Sequence, residues 1–216
     1  MNYGVLSFIQ RGMWFPVKLF LTLWAPMRVR GREHLRTATP PLIIIANHKT
    51  VLDHFVLGVL LSFRSCLLPL RFLGETQRFQ FWWLNMLRVL GVIRIFYWLF
   101  GVSPVVRRRG LKQALSHPLR LLQEGGTVVI YPEGSVVRAD HVGMFKRGIG
   151  ALEHWSRVPI LPVAIRTEKK RGHLRRVYYV NIGRQFFIPK ELSFEDSADY
   201  ARRIVKMLYV EAAAEK

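Results

Sequence analysis

Short apolar runs alternate along the chain with longer stretches in which apolar residues recur at helical spacing. The clearest run is 42–46, five apolar residues directly after two prolines, which predicts a buried strand. Further strands are predicted at 67–73, 91–96, 127–131, 160–166 and 177–182, and helices at 53–63, 75–89, 107–123, 146–156 and 193–215. This alternation predicts an α/β fold with a largely parallel central sheet flanked by helices. In such sheets, binding sites lie at the carboxyl ends of the strands.

The beginning of the chain is apolar but is interrupted too often to span a membrane. A spanning helix needs about 20 nearly uncharged residues, whereas this stretch contains Arg11, Pro16 and Lys18. We predict two short amphipathic helices in the membrane interface, at 3–10 and 14–24. A helical hairpin packed on the core is the alternative. No positive charge precedes the apolar run, which argues against a signal peptide.

A second apolar stretch, 79–100, is also unsuited to crossing a bilayer. It carries Arg88 and Arg94, and each arginine would cost about 3 kcal/mol at the centre of the membrane. We therefore predict monotopic attachment to one membrane face. The predicted organisation is a membrane-interface helical segment at 1–25, followed by a single domain at 26–216.

Net charge and hydrophobicity together restrict the kinds of molecule that the chain is expected to bind. The 216 residues include 33 Lys and Arg against 14 Asp and Glu, so the net charge is +19, and half of the residues are hydrophobic. Such a chain is not disordered, and it is expected to bind polyanions, either nucleic acid or anionic lipid. Arginines interleaved with aromatic residues favour the membrane surface over nucleic acid. The single cysteine, Cys66, cannot form an internal disulfide, so we predict a peripheral protein on the cytoplasmic face of a membrane.

Polar residues follow directly on the strand predicted at 42–46. Among the seven histidines, His48 alone has an acidic residue five positions later, Asp53. Five helical residues would turn these side chains about 140° apart, so they can meet only if His48 precedes a helix that Thr50 caps. A carboxylate bonded to one imidazole nitrogen makes the other more basic, so His48 is a candidate general base. A structural histidine at a helix start is the alternative.

A second polar cluster follows the strand predicted at 127–131. The residues 132–135, Pro-Glu-Gly-Ser, predict a tight turn whose backbone amides can hold an anion. Further on, Lys146 and Arg147 place two cations at the start of a predicted helix. Taken alone, this cluster indicates a strand exit that carries a solvated carboxylate.

The two clusters, in this order, resemble the motifs of glycerolipid acyltransferases of the lysophosphatidate acyltransferase type. That family carries N-H-x4-D, then a strand ending in F-P-E-G, then F-K-x-G and then V-P-I-x-P-V. This chain has N-H-K-T-V-L-D from Asn47, Y-P-E-G-S from Tyr131, F-K-R-G from Phe145 and V-P-I-L-P-V from Val158. The resemblance covers about residues 26–190, so 26–216 is expected to be an acyltransferase domain.

The resemblance implies an acyltransferase in which His48 deprotonates an acceptor hydroxyl and Asp53 orients the imidazole. The hydroxyl would attack the thioester of acyl-CoA or acyl carrier protein as co-substrate, and neither a cofactor nor a metal is implied. The implied acceptor is a lysophospholipid, foremost 1-acylglycerol-3-phosphate, whose acylation gives phosphatidic acid for phospholipid synthesis. Glu133, Gly134 and Ser135 would position the glycerol and the headgroup.

Two departures from the family pattern concern the acceptor's phosphate. A further motif of the family, G-x-I-x-V-x-R, ends in an arginine where this chain has Tyr97. The family's E-G-T-R is here Glu-Gly-Ser at 133–135, followed by two valines and then Arg138. Arg71, Arg94 and Arg138 are candidate substitutes, and we place Arg71 and Arg138 with the predicted substrate-binding residues.

Three alternatives for the function stay open. The first is an acyltransferase that acts on a different lysolipid. The second is a family member that binds lysolipid or a partner without turnover. The third is a noncatalytic basic protein of the membrane surface or a nucleic-acid-binding protein.

Overall fold

A central sheet with helices on both faces forms the protein. The structure is a computed structural model, which describes residues 3–75, 82–105, 110–169 and 176–212. Its strands are β1 (Met27–Arg30), β2 (Leu42–Ala46), β3 (Leu70–Glu75), β4 (Val102–Val105), β5 (Thr127–Ile130), β6 (Ile160–Lys169) and β7 (Arg176–Ile182). Its helices are α1 (Tyr3–Trp24), α2 (Arg32–Arg36), α3 (Asp53–Leu60), α4 (Trp82–Val89), α5 (Val92–Phe100), α6 (Leu111–Gln123), α7 (Gly148–Ser156) and α8 (Phe194–Glu211). The predicted α/β class is confirmed.

The sheet is parallel except near one edge. Across the described residues, its seven strands lie in the order β1-β7-β6-β2-β5-β3-β4. The strands β6, β2, β5, β3 and β4 are mutually parallel, whereas β7 runs antiparallel to β6 and β1 runs parallel to β7. Since β2 and β5 are neighbours, their carboxyl ends emerge side by side at one edge of the sheet.

The two faces of β2 contribute to separate clusters of buried side chains. Leu42, Ile44 and Ala46 pack with residues of α1 and α3, and Ile43 and Ile45 pack with residues of α6, α7 and α8. Because helices cover both faces, the strand is an unbroken apolar run rather than an alternating one. The strand lies where the sequence predicts it.

The first helix, α1, is continuous, and the prediction of two shorter pieces is wrong. Two polar residues that interrupt its apolar sequence, Gln10 and Arg11, face the rest of the protein. The Gln10 amide donates to the Leu70 carbonyl and accepts from the Leu70 N–H, both at 2.8 Å, and Arg11 donates to backbone carbonyls of the 63–65 segment. These bonds satisfy the polar side chains within the fold, so the helix continues past them and through Pro16.

The two sides of α1 differ in environment. Leu6 and Leu21 are fully buried, whereas Phe8, Phe15 and Leu19 are exposed. The helix therefore packs on the core along one side and presents an apolar outer surface along the other. None of the described helices is both long and apolar enough to cross a membrane.

The apolar run predicted as a strand at 91–96 is helical, and that prediction is wrong. It belongs to α5, which starts after Gly91, a residue with a left-handed φ of 77°. A short apolar run has no periodicity that distinguishes a buried strand from a helix. Here α5 packs against α1 and α4, and the strand β4 starts only at Val102.

The remaining elements are found close to their predicted positions, with shifted ends. β3 covers Leu70–Glu75 rather than 67–73, and α3 ends at Leu60 rather than at 63. The predicted helices 75–89, 107–123 and 193–215 correspond to α4, α6 and α8, and parts of all three lie outside the described residues.

Candidate active site

His48 and Asp53 lie beyond the carboxyl end of β2, on either side of a short turn. Since β2 ends at Ala46 and α3 begins at Asp53, His48 precedes the helix. The imidazole Nδ1 lies 2.8 Å from Oδ2 of Asp53. The structure thus has the geometry that this spacing requires for the two side chains to meet.

The Asp53 carboxylate is completely buried and is bonded on both oxygens. Oδ2 accepts hydrogen bonds from the backbone N–H groups of Lys49 (2.6 Å) and Thr50 (2.9 Å), and Oδ1 accepts one from the Thr50 hydroxyl (2.8 Å). A buried carboxylate needs such donors because water does not reach it. The same bonds fix the orientation of the oxygen that faces His48.

Thr50 does not cap α3, and that prediction is wrong. Leu52 occupies the capping position. The Thr50 hydroxyl accepts the Leu52 N–H (3.1 Å), lies 2.7 Å from the Tyr178 hydroxyl and gives its own hydrogen to Asp53. These contacts stabilise the turn between His48 and α3. The hydroxyl hydrogen of Thr50 is donated to the Asp53 carboxylate rather than to a backbone group of the helix.

The bond to Asp53 leaves Nε2 of His48 for proton transfer. Since the carboxylate accepts, Nδ1 carries the hydrogen of the neutral ring and Nε2 carries the lone pair. The side chain is 13% exposed. Its ring is stacked on Tyr131, with centroids 4.3 Å apart and planes 23° apart. Stacking and the hydrogen bond together hold the imidazole in one orientation.

A second histidine, His54, is packed beside His48. Their ring centroids are 5.5 Å apart, and His54 also contacts Tyr131 (4.9 Å) and Phe72 (5.0 Å). Burial, with a smaller contribution from His48, lowers the pKa of His54 from 6.5 to about 4. His54 is therefore neutral at neutral pH and adds no positive charge beside His48.

Glu133 connects the two motif loops through its carboxylate. Oε2 accepts the backbone N–H of His48 (2.7 Å), and Oε1 accepts that of Gly143 (2.6 Å). The side chain is buried, and burial raises the pKa of Glu133 against the opposing effect of these two donors and of Lys49. In the structure, Glu133 fixes the His48 backbone, and its contact with a substrate stays a prediction.

The sequence that carries this site matches a known family. The family model described as Acyltransferase matches residues 26–166, which include both loops. The chain belongs to this acyltransferase family.

Similar proteins carry names consistent with that family. The chain is 26% identical over 139 residues to a chloroplastic 1-acyl-sn-glycerol-3-phosphate acyltransferase of Brassica napus, covering 63% of this chain and 36% of the relative. It is 27% identical over 135 residues to a 1-acyl-sn-glycerol-3-phosphate acyltransferase of Chlamydomonas reinhardtii, covering 62% and 37%. The chain thus spans little more than a third of the length of these curated relatives.

The fold is also similar to that of a solved structure. The crystal structure of the 1-acyl-sn-glycerophosphate (LPA) acyltransferase PlsC from Thermotoga maritima superposes with a TM-score of 0.66 at 20% identity, covering 96% of this chain and 79% of that one. At this identity, the similarity establishes the fold.

In this acyltransferase, the loop that follows Glu133 continues beside the His48 loop. The Val137 N–H donates to the His48 carbonyl at 2.8 Å. Gly134 has a φ of 71°, and a Cβ at this position would lie 2.4 Å from Nζ of Lys146. The left-handed backbone favours glycine here, and a larger residue would also displace the end of the Lys146 side chain.

The structure brings most, but not all, of the predicted substrate-binding residues to this edge of the sheet. Ser135 and Arg138 are exposed on the loop after Glu133. Arg138 lines a cavity of about 380 Å³ together with Lys49, whose ammonium group donates to backbone carbonyls at Ala139 and His141.

Arg71 lies at the opposite edge of the sheet. It pairs in register with Val128, which pairs with Ile43. Ala46, the last residue of β2, is three residues beyond Ile43, about 10 Å further along the strand direction at about 3.3 Å per residue, and His48 lies beyond that end. The structure therefore does not bring Arg71 to His48, because the two lie toward opposite ends of parallel strands that β5 separates.

Three residues of this site had no predicted role. The Asn47 side chain accepts the Ile165 N–H (2.7 Å) and donates to the Ile165 carbonyl (2.8 Å), which ties the end of β2 to β6. Tyr131 and His54 pack around the imidazole. Asn47 and Tyr131 belong to the motifs quoted above and His54 follows Asp53 directly, and this position in the sequence is the one signal that could have indicated them. In the described part of the chain, no three metal-ligating side chains converge.

Proposed function

We propose that this acyltransferase transfers an acyl group from an acyl thioester to the free hydroxyl of 1-acylglycerol-3-phosphate, giving phosphatidic acid. The observation that carries the proposal is the 2.8 Å contact between His48 and the buried Asp53 at the carboxyl edge of the sheet. The names of the relatives support the choice of acceptor. Acyl-CoA and acyl carrier protein both remain candidate donors.

In the proposed reaction, His48 acts first as base and then as acid. Nε2 takes the proton of the acceptor hydroxyl as its oxygen attacks the thioester carbonyl carbon. The tetrahedral intermediate collapses with cleavage of the carbon–sulfur bond, and the imidazolium returns the proton to the leaving thiolate. Asp53 stabilises the imidazolium and holds the ring in the required tautomer, as the acid of a catalytic triad does.

The exposed end of the Glu133 loop is proposed to hold the acceptor. Ser135 and Arg138 offer a hydroxyl and a guanidinium on the same loop that bonds the His48 carbonyl through Val137. Arginine binds phosphate in a bidentate manner. Arg138 is thus the predicted cation that stays near His48, while Arg71 is too distant for this role.

We also assign a membrane-facing surface to the outer sides of α1, α4 and α5. Phe8 on α1, Trp82 on α4 and Trp98 on α5 are all exposed, and α5 packs against both other helices. Aromatic and aliphatic side chains on neighbouring helices insert into the interfacial region of a bilayer, where a lysophospholipid is found. Peripheral attachment to the cytoplasmic face is part of the proposal.

The proposal is tested by acyl transfer to lysophosphatidate with purified protein in detergent. Wild type, His48→Ala and the matched control His34→Ala are each assayed with acyl-CoA and with acyl carrier protein. We expect His48→Ala to lose at least about a hundredfold in rate, since general-base catalysis contributes about 10²–10⁴-fold. His34→Ala should retain the wild-type rate.

The outcomes separate the parts of the proposal. A His48→Ala rate equal to that of wild type would contradict the general base. Wild-type activity on another lysolipid in place of lysophosphatidate would overturn the acceptor. Absence of transfer to every lysolipid would favour the noncatalytic alternative.

A further inference from the structure

A second cavity lies at the amino edge of the sheet, away from His48. Its volume is about 390 Å³. It is enclosed by the first residue of α1, the start of β3, the end of α5 and the middle of α6, and its lining includes Tyr3, Arg71, Ser103, His117 and Arg120. Neither the proposed base nor the loops that hold it reach this cavity.

The guanidinium of Arg71 is the central cation of this cavity. The residue is only 6% exposed, and its Nε makes no hydrogen bond to any described residue. The guanidinium lies over the ring of Tyr3, 5.3 Å from the centroid. A buried N–H donor without an acceptor is costly to the fold. An acceptor supplied by a ligand would remove that cost.

Two further groups on α6 face the same space. Arg120 donates to Nδ1 of His117 at 3.2 Å, so the neutral imidazole carries its hydrogen on Nε2, which donates to the Ser103 hydroxyl at 3.1 Å. Burial, followed by Arg120 and Arg71, lowers the pKa of His117. The one carboxylate in the lining, Glu124, is 3.7 Å from Arg120. The cavity thus presents more cationic and donor groups than acceptors.

The rim of the cavity continues into the apolar outer surface of the helices. Trp98 of α5 and Tyr3 of α1 line the cavity and are exposed. Val5 and Phe8, on the next turn of α1, are exposed as well. An anion bound here would therefore lie at the boundary between a basic cavity and a surface suited to lipid.

We propose that this cavity binds a phosphate group, and that its source is the headgroup of an anionic lipid in the membrane on which the protein rests. Arg71 binds the phosphate from inside and Arg120 binds it from α6, while His117, whose ring nitrogens are bonded to Arg120 and Ser103, lies beside the bound charge. The phosphate of an acceptor reacting at His48 cannot lie here, because a few covalent bonds separate that phosphate from its hydroxyl and the two sites are at opposite edges of the sheet. The proposal is independent of the catalytic assignment.

The first test detects phosphate through His117. The full chain, ¹⁵N-labelled at histidine, is titrated with inorganic phosphate at constant ionic strength, and the ring signals are assigned with His117→Gln. We expect saturable shifts of His117 and a rise of its pKa, since a bound anion favours the imidazolium. Arg71→Gln and Arg120→Gln should each require at least about tenfold more phosphate, the effect of losing a charged hydrogen bond.

Lys112→Gln is the matched control, because Lys112 is an exposed cation of α6 outside the cavity lining. Replacing the buried Arg71 could prevent folding. Because Arg120 is exposed, Arg120→Gln is expected to fold and so tests the cavity independently. A wild-type protein without a saturable His117 response would overturn the proposal, as would an equal response in all variants.

The second test identifies the source of the phosphate. Binding to phosphatidylcholine vesicles is compared with binding to vesicles that also contain phosphatidylglycerol. Losing one surface cation weakens anionic-membrane binding about fivefold, so we expect Arg71→Gln and Arg120→Gln to lose about tenfold beyond the Lys112→Gln loss. If phosphate shifts His117 but these variants match Lys112→Gln on vesicles, the ligand is a soluble phosphate compound and the lipid headgroup is overturned.

Discussion

Asp53 and Glu133 at the carboxyl edge of the sheet and Arg71 at the amino edge are all buried, but they differ in their hydrogen bonding. At the carboxyl edge, the oxygens of Asp53 and Glu133 accept hydrogen bonds from neighbouring backbone and hydroxyl groups. At the amino edge, Nε of Arg71 has no such partner among the described residues. The first arrangement fixes the His48 imidazole, as the proposed proton transfer requires. The second leaves an N–H donor for the anion that we propose as a ligand.

This difference in hydrogen bonding agrees with the role proposed for each site. A general base needs a constant orientation, and partners that are already in place avoid reorganisation during the reaction. A binding cavity gains affinity when a ligand satisfies a group that the fold leaves unsatisfied. Asp53 and Arg71 therefore differ in whether the fold supplies a partner for the buried polar atom.

The largest expected effect is on kcat. It is measured by comparing a substitution at the carboxyl edge, Asp53→Asn, with one at the amino edge, Arg120→Gln. Asp53→Asn removes the charge that stabilises the imidazolium and no longer fixes the tautomer, so kcat should fall about 10³-fold or more. Arg120→Gln should stay within about twofold of wild type on lysophosphatidate in detergent micelles, where no anionic membrane is needed. Circular dichroism of both variants checks that the fold is retained.

An equal loss in Asp53→Asn and Arg120→Gln would break the comparison. It would mean that the cavity at the amino edge supports catalysis, and that the two edges are not separate in function.

A smaller effect is expected from the pH dependence of stability. The pKa of His54 is about 4 in the folded protein against 6.5 as the ordinary value, so the unfolded chain binds more protons between these values. The contribution of His54 is complete above about pH 6.5 and is lost as the pH falls toward 4, and its size is about 3 kcal/mol. His54→Gln should flatten the dependence of the free energy of unfolding on pH across this window.

Urea unfolding at several pH values measures this effect. His34→Gln serves as the control, because His34 lies on α2, outside the His48 site, and its replacement should leave the slope unchanged. A wild-type slope in His54→Gln would show that folding does not lower the pKa of His54, so that His54 would carry a charge beside His48 below about pH 6.5.

The smallest effect is expected at Tyr131, whose ring is stacked on His48. Its buried hydroxyl has no hydrogen-bond partner among the described residues, so Tyr131→Phe removes an unsatisfied polar group and keeps the stacking. The free energy of unfolding should rise by about 1 kcal/mol, with kcat within about twofold of wild type. A tenfold loss of kcat would instead show that the hydroxyl acts in the reaction, which would sharpen the account of the carboxyl edge.

The elements with a clear local signal were predictable from the sequence. β2 was found because five apolar residues follow two prolines, and the turn to α3 was found because only one placement lets His48 and Asp53 meet. The helix α5 was mistaken for a strand because the run 91–96 is short and mostly apolar, and a run of this length does not distinguish a strand from a helix. Its identity depends on α1 and α4, which pack against it.

The candidate site was predictable to a similar extent. The spacing of His48 and Asp53 and the position of Glu133 after β5 indicated which residues to examine. Neither indicated that Glu133 bonds the His48 backbone, or that Tyr131 and His54 enclose the imidazole. Glu133 and Tyr131 are distant from His48 in sequence, and the packing of His54 on His48 depends on how the turn between them folds, so no local pattern encodes these contacts.

By itself, the sequence determined the α/β class, the order of most elements, the family and the pair of side chains proposed for catalysis, because each depends on local spacing and composition. The tertiary structure alone decided which cations share a site. Arg71 and Arg138 were equivalent as basic residues, yet strand register places Arg71 at the amino edge, while the loop after β5 carries Arg138 past the carboxyl edge. Strand direction and register depend on pairing between distant segments, and so they assign a charge to an edge only once the chain is folded.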